Sequence, residues 1–153
     1  MDESAYAAAL HYLASHHVMT LATRGEDGPW AAAVFYANRG TDLYFLSSPA
    51  SRHGRNMAAH PRVAATVQED YHDWRAIHGI QLEGEVTRLH GDEAKAARLL
   101  YGEKFPIAAP LAQAPAAIVQ ALARVAWYRL RPERLFYIDN SKGFGHRDEL
   151  RCL

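Results

Sequence analysis

The sequence predicts a mainly β domain with peripheral helices, its six or seven antiparallel strands curling into a closed or partly closed barrel. Three observations carry this reading. Seven short β-rich runs outnumber the helical ones, and turn signals separate them at close intervals. The 153 residues, 49% hydrophobic and 22% charged, suit one globular core and exclude a disordered chain. Nothing repeats at a fixed period, which excludes solenoids and propellers.

The elements follow in order. Ser4 is a candidate N-cap, and Tyr6, Leu10 and Leu13 follow at helical spacing, so residues 4–16 read as an amphipathic helix. Val18 to Arg24 is a strand that runs into the turn Gly25-Glu26-Asp27-Gly28. Trp30 to Asn38 and Leu43 to Ser47 flank a second turn, Asn38 to Thr41, and are expected to complete a three-strand meander. Ser51 caps a short helix that must stop before His60-Pro61, because proline disfavours helix in the residue before it. Arg62–Gln68 is a fourth strand and Ile77–Leu89 a long fifth, with Gly84 marking a bulge or a close approach. Gly91–Lys104 is a helix with Ala94, Ala97, Leu100 and Tyr101 on one face. A Pro/Ala-rich connection, 107–115, precedes a helical turn or two over 115–123. Val125–Leu130 and Leu135–Ile138 are two last strands, joined by Arg131-Pro132-Glu133-Arg134.

Charge narrows the function. Lys+Arg and Asp+Glu are 17 each, so no net field favours DNA or an anionic membrane, and no nucleic-acid or membrane partner is expected. The acidic start and the shortness of the longest apolar run (Trp30 to Ala37) lead to the expectation of a soluble cytoplasmic protein. The single cysteine, Cys152, allows no internal disulfide. Nine histidines without an H-E-x-x-H motif or a cysteine pair give no metal expectation.

The neutral total conceals a basic stretch. From Leu43 to Gln68 there is no acid, against Arg52, Arg55 and Arg62. Ser47, Ser48 and Ser51 add hydroxyls where a strand hands over to a helix N-terminus, which favours an anion such as phosphate. A solvated, serine-capped surface helix would use the same residues, and composition does not separate the two. Trp30, Trp74, Trp127 and Tyr128 are expected in the core or at an interface between copies, rather than as nucleic-acid platforms. Gly143-Phe144-Gly145 reads equally as a ligand-closing loop or a plain turn. Glu83 and Glu85 share one strand face, read as solvated.

Four segments together resemble the pyridoxamine 5'-phosphate oxidase-like family of FMN-binding split barrels, in particular its small bacterial members of unassigned substrate. They are Ala31–Asn38 (AAAVFYAN), Leu43–Val67, Gly79–Leu89 (GIQLEGEVTRL) and Leu130–Arg147. The resemblance implies a homodimeric split barrel with two FMN molecules at the subunit interface. It would lay Ala32, Ala33, Val34, Phe35 and Tyr36 along the flavin through backbone groups. Ser47, Ser51, Arg52 and His53 would take the phosphate, and Gln81 would approach the ring edge. Tyr137 would close the cofactor site from the other subunit, with His146 and Arg147 there to bind a small-molecule substrate. His53 stands where the family oxidase usually has Lys, Tyr137 where Trp is common, and the GFGHR tail matches the vitamin B6 site only loosely. The implied activity is therefore a flavin-dependent two-electron transfer between a reduced donor and a small organic substrate or oxygen, with no catalytic residue assigned. A non-catalytic flavin or haem carrier on the same barrel, or a deazaflavin-dependent reductase, are the alternatives.

Overall fold

The computed structural model describes residues 2–106 and 115–152; the expected Pro/Ala-rich connection falls almost wholly outside them. The described elements are α1 (Glu3–Ser15), β1 (Val18–Gly25), β2 (Gly28–Phe35), β3 (Ala37–Arg39), β4 (Asp42–Ser47), α2 (Arg52–Ala59), β5 (Arg62–Gln68), β6 (His78–Leu89), α3 (Gly91–Lys104), α4 (Ala116–Ala123), β7 (Ala126–Asp139) and β8 (Arg147–Leu150). Short 3₁₀ turns at Trp74–Ala76 and Asn140–Lys142 complete the set. Asp2, not Ser4, caps α1, accepting from the N–H groups of Ser4 and Ala5.

All eight strands belong to one antiparallel sheet in the order β2-β1-β5-β6-β7-β4-β3, with β8 added to β7. The order corrects the expected meander. β2 pairs with β1 and β3 with β4, but β2 and β4 stand near opposite ends of the sheet. Only Tyr36 separates Phe35, the last residue of β2, from Ala37, the first of β3. One residue of chain reaches only about 3.5 Å, so the sheet has to curl until its two ends meet. That is a half-open barrel, as the sequence predicts.

Tyr36 marks the seam. It is fully buried, its N–H donates to His17 O (3.0 Å), and its hydroxyl donates to Leu13 O (2.7 Å) at the end of α1. The Lys104 ammonium lies 4.2 Å from its ring centroid and donates to the carbonyls of Leu13 and His16. Burial pushes that ammonium's pKa down to about 8. The core is continuous from α1 (Leu13) through β1 (Met19, Leu21) and β4 (Leu43, Phe45) to β7 (Leu130, Leu135).

Two further differences concern the C-terminal third. The expected last two strands are one, β7, which pairs with β6 along its whole length. The register shifts at Glu83/Gly84, so that Pro132, Glu133 and Arg134 face only Gly84 and Glu83. The bulge makes room for the proline within an otherwise continuous strand. A Cβ on Gly84 would come within 2.1 Å of Arg131 O, so the sequence-predicted close approach is real. β8 has no counterpart in the sequence reading, because Arg-Asp-Glu-Leu carries no apolar alternation. Tyr128 stacks on Phe45 (5.3 Å) inside the core, and Trp127 meets Tyr101 edge-on (5.2 Å).

Tyr36→Phe should lower unfolding stability by about 1 kcal/mol, the net value of one buried hydrogen bond. Tyr36→Ala should cost about 4 kcal/mol by cavity formation. Urea unfolding measures both, and an Ala variant no worse than Phe would remove Tyr36 from its role at the seam.

Candidate phosphate seat and outer sheet face

The turn Ser48-Pro49-Ala50-Ser51 delivers β4 into α2. Ser51 N–H donates to Ser48 O (3.1 Å), and Ser51 Oγ both donates to Ser48 O (2.6 Å) and accepts from Gly54 N–H (3.0 Å). Ser51 is thus the N-cap of α2, and its hydroxyl is committed to shaping the turn. Gly54 permits it, since a Cβ there would lie 2.4 Å from Ser48 O. Among the described residues no hydrogen bond uses the N–H of Arg52 or His53, so both remain available to an anion at the positive end of the helix.

Ser47, nearly buried at the end of β4, lies with its Oγ 2.9 Å from His53 Nε2. Burial lowers the His53 pKa, so the imidazole is neutral at pH 7. Arg52 stacks its guanidinium over Trp30 (4.3 Å to the centroid) and donates to Asp27 O (3.2 Å) on the β1–β2 turn. Asn56, buried in α2, donates to Thr23 Oγ1 (3.1 Å) on β1. α2 thereby starts from one end of the sheet and docks on the other, and the seat spans the seam. Trp30, Asp27, Asn56 and Thr23 were missed as site-shaping residues, because their partners are remote in sequence.

The second feature is the outer face of the sheet. Ala33, Thr20, Thr66, Gln81 and Phe136 form one cross-strand row, and Ala31, Ala22, Ala64 and Glu83 the next. The floor over β2, β1 and β5 is therefore flat and built from small side chains, bordered by exposed Phe35 (55%) and Val18 (42%). At the far side the guanidinium groups of Arg134 and Arg147 lie over the Phe136 ring at 5.0 and 5.1 Å. Arg147 Nη1 donates to Gln81 Oε1 (3.4 Å).

The sequence-predicted residues separate accordingly. Ser47 and His53 meet side by side, Ser51 caps the helix, and the Arg52 side chain reaches instead to Trp30 and Asp27 O on the β1–β2 hairpin. Ala33 and Phe35 face outward, Ala32 and Val34 lie on the opposite, half-buried side of β2, and Tyr36 turns into the core. Gln81 and Arg147, expected from different subunits, meet within one chain. Tyr137 is 7% exposed, and its ring packs edge-on against Tyr12 (6.2 Å). His146 is tied to its own loop, with Nε2 3.2 Å from Asp148 Oδ2. Phe144 is 83% exposed and meets Trp74 edge-on at 5.6 Å. Among the described residues no group of three or more His, Cys, Asp or Glu converges as a metal site, and no helix is long and apolar enough to cross a membrane.

A curled antiparallel half-barrel whose fourth strand leads into a cationic helix N-terminus defines a split-barrel protein. The chain belongs to the pyridoxamine 5'-phosphate oxidase family, whose profile matches residues 6–139. It is 33% identical over 138 residues to the UPF0306 protein plu4501 of Photorhabdus laumondii, covering 89% of this chain and 88% of that one. The structure is similar to that of a heme binding protein from Mycobacterium smegmatis, with a TM-score of 0.75 and 29% identity. That match takes in 99% of this chain but only 59% of the longer mycobacterial one. HutZ, the heme storage protein of Vibrio cholerae, shares the fold at a TM-score of 0.64 and 20% identity, over 85% of this chain and 92% of that one.

Sulfate, which does not titrate near neutrality, should bind several-fold more tightly at pH 5.5 than at pH 7.5. The sign follows from the lowered pKa: burial favours the neutral His53 imidazole, so its positive charge, and with it the anion affinity, is gained only as the pH falls. Calorimetric titration should show this slope in the wild type and lose it in His53→Gln; equal slopes would place the titrating group elsewhere.

Proposed function

We propose that the chain is an FMN-binding oxidoreductase acting on a small organic substrate. The observation that carries this reading is the seat at α2: two uncommitted backbone N–H groups, the Arg52 guanidinium, and the Ser47–His53 pair. A phosphate monoester fits this donor set, which offers hydrogen bonds and positive charge with no carboxylate in α2. FMN, when bound, supplies the two-electron chemistry between a reduced donor and the substrate or oxygen. The protein's part is to hold and orient. Trp30 and Asp27 O fix Arg52 for the phosphate. Arg147, braced by Gln81 and Phe136, presents a cation suited to orienting an anionic or polar substrate.

The same reading includes a homodimer. The alanine-rich outer face with Phe35 and Val18 is an apolar surface that a second copy would cover. A haem carrier on the same barrel is the second reading. It is favoured by the likeness to the mycobacterial heme binding protein and by His146, whose Nε2 rests on Asp148 while Nδ1 has no hydrogen bond among the described residues.

Purified protein incubated with FMN and desalted should keep the flavin absorption bands, and Arg52→Ala should weaken FMN binding at least tenfold. A protein that releases FMN yet develops a Soret band with haemin, lost in His146→Ala, would replace the flavin reading with the haem one. Sedimentation at micromolar concentration should give twice the chain mass, and a clean monomer would sink the dimer.

A further inference from the structure

A second concave site lies on the opposite face of β4 from the phosphate seat. Side chains alternate along β4, so Ser47 belongs with the buried set and Tyr44 with the outward one. α3 lies over this outer side of β3, β4 and β7 and leaves a cleft of about 340 Å3, at the lower end of the range for small-ligand sites. It is lined by Glu93, Ala96, Ala97 and Leu100 of α3, with Arg39, Tyr44 and Arg129 from the strands beneath.

Arg129 is the unusual residue. Its side chain is 21% exposed, and its only hydrogen bond among the described residues runs from Nη1 to Glu93 Oε2 (3.2 Å). Its Nε is buried with no acceptor. Two residues along the same strand, Arg131 shows what that edge of a guanidinium takes: Nε (3.2 Å) and Nη2 (2.8 Å) both donate to Asp42 Oδ2. The corresponding Nε/Nη2 edge of Arg129 has no carboxylate from the described residues. Arg39 supplies a second cation at the cleft and makes no ion pair among them. The Glu93 side chain, 67% exposed, is held at Arg129 by that single contact and can turn out to water.

We infer that this cleft binds a small aliphatic carboxylate. The carboxylate pairs with the Arg129 guanidinium, Arg39 strengthens the field, and the hydrocarbon part rests on Ala97, Leu100 and Tyr44. The pairing of a guanidinium with apolar lining residues selects an amphiphilic acid over a bare anion. Glu93 competes with the ligand for the same guanidinium and sets the affinity. The inference is independent of what occupies the phosphate seat.

Calorimetric titration of the full chain with hexanoate tests it, with hexanamide and inorganic phosphate as controls. Hexanoate should bind saturably and hexanamide at least tenfold more weakly. Arg129→Gln should weaken hexanoate binding at least tenfold, and Glu93→Gln should tighten it about threefold by removing the competitor. Arg39→Gln, at an exposed position, should weaken it several-fold without affecting the fold, which covers the case of an Arg129 variant that unfolds. Hexanoate binding unchanged in both arginine variants, or hexanamide binding equally well, would overturn the site. Phosphate binding there with Arg129 dependence while hexanoate does not would overturn the carboxylate assignment.

Discussion

A single residue joins the two edges of the sheet, and the remaining architecture answers to that constraint. β2 and β3 are consecutive in the chain yet terminal in the sheet, so Tyr36 has to sit where the barrel nearly closes. Its burial follows, and so does the need for partners: His17 O for its N–H and Leu13 O for its hydroxyl. Lys104, far along the chain, caps the carbonyls at the end of α1 and lies over the same ring. A half-buried ammonium with its pKa pushed to about 8 is a costly group. It is offset by two carbonyl acceptors and an aromatic face, and it ties α3 to α1 across the seam.

The candidate seat at α2 inherits its geometry from this closure. β4 follows β3 at one end of the sheet, whereas α2 lies against β1 and β2 at the other. Arg52 on Trp30 and Asn56 on Thr23 are therefore contacts across the split, not within one hairpin. A change that opened the barrel would part Arg52 from Trp30 and Asn56 from Thr23. The outer face is a consequence of the same curl. Ala31 and Ala33 of β2, Ala22 of β1 and Ala64 of β5 point outward and are exposed, and their small size keeps the surface flat.

Much of this was legible where the signal is local. Arg62–Gln68 and Gly91–Lys104 end where the sequence places them, as does α2 between its serine cap and His60-Pro61. Ser47, Arg52 and His53 could be grouped because capping and charge act within one turn of chain. The misreadings share a nonlocal cause. Pro132 looks like a turn residue, but its place beside the bulge opposite Gly84 lets β7 run through. The meander fails because pairing order depends on which buried faces meet, not on which strands are adjacent in sequence. Nothing near Gln81 announces Arg147, and nothing near Arg52 announces Trp30. Tyr137, grouped with the site by likeness, stands on the buried parity of β7.

The strand order also sets a timetable for synthesis. β6 pairs with β5 on one side and waits for β7 on the other, and Asp139 completes that pairing about 50 residues after Leu89. At a translation rate of about 5–20 residues per second, the 12-residue edge of β6 stands open for several seconds on the ribosome. When β7 arrives it pairs with β6 on one side and β4 on the other, and β8 joins it afterwards. Half of the barrel can therefore assemble early, but the step that gathers the rest belongs to the last part of the chain.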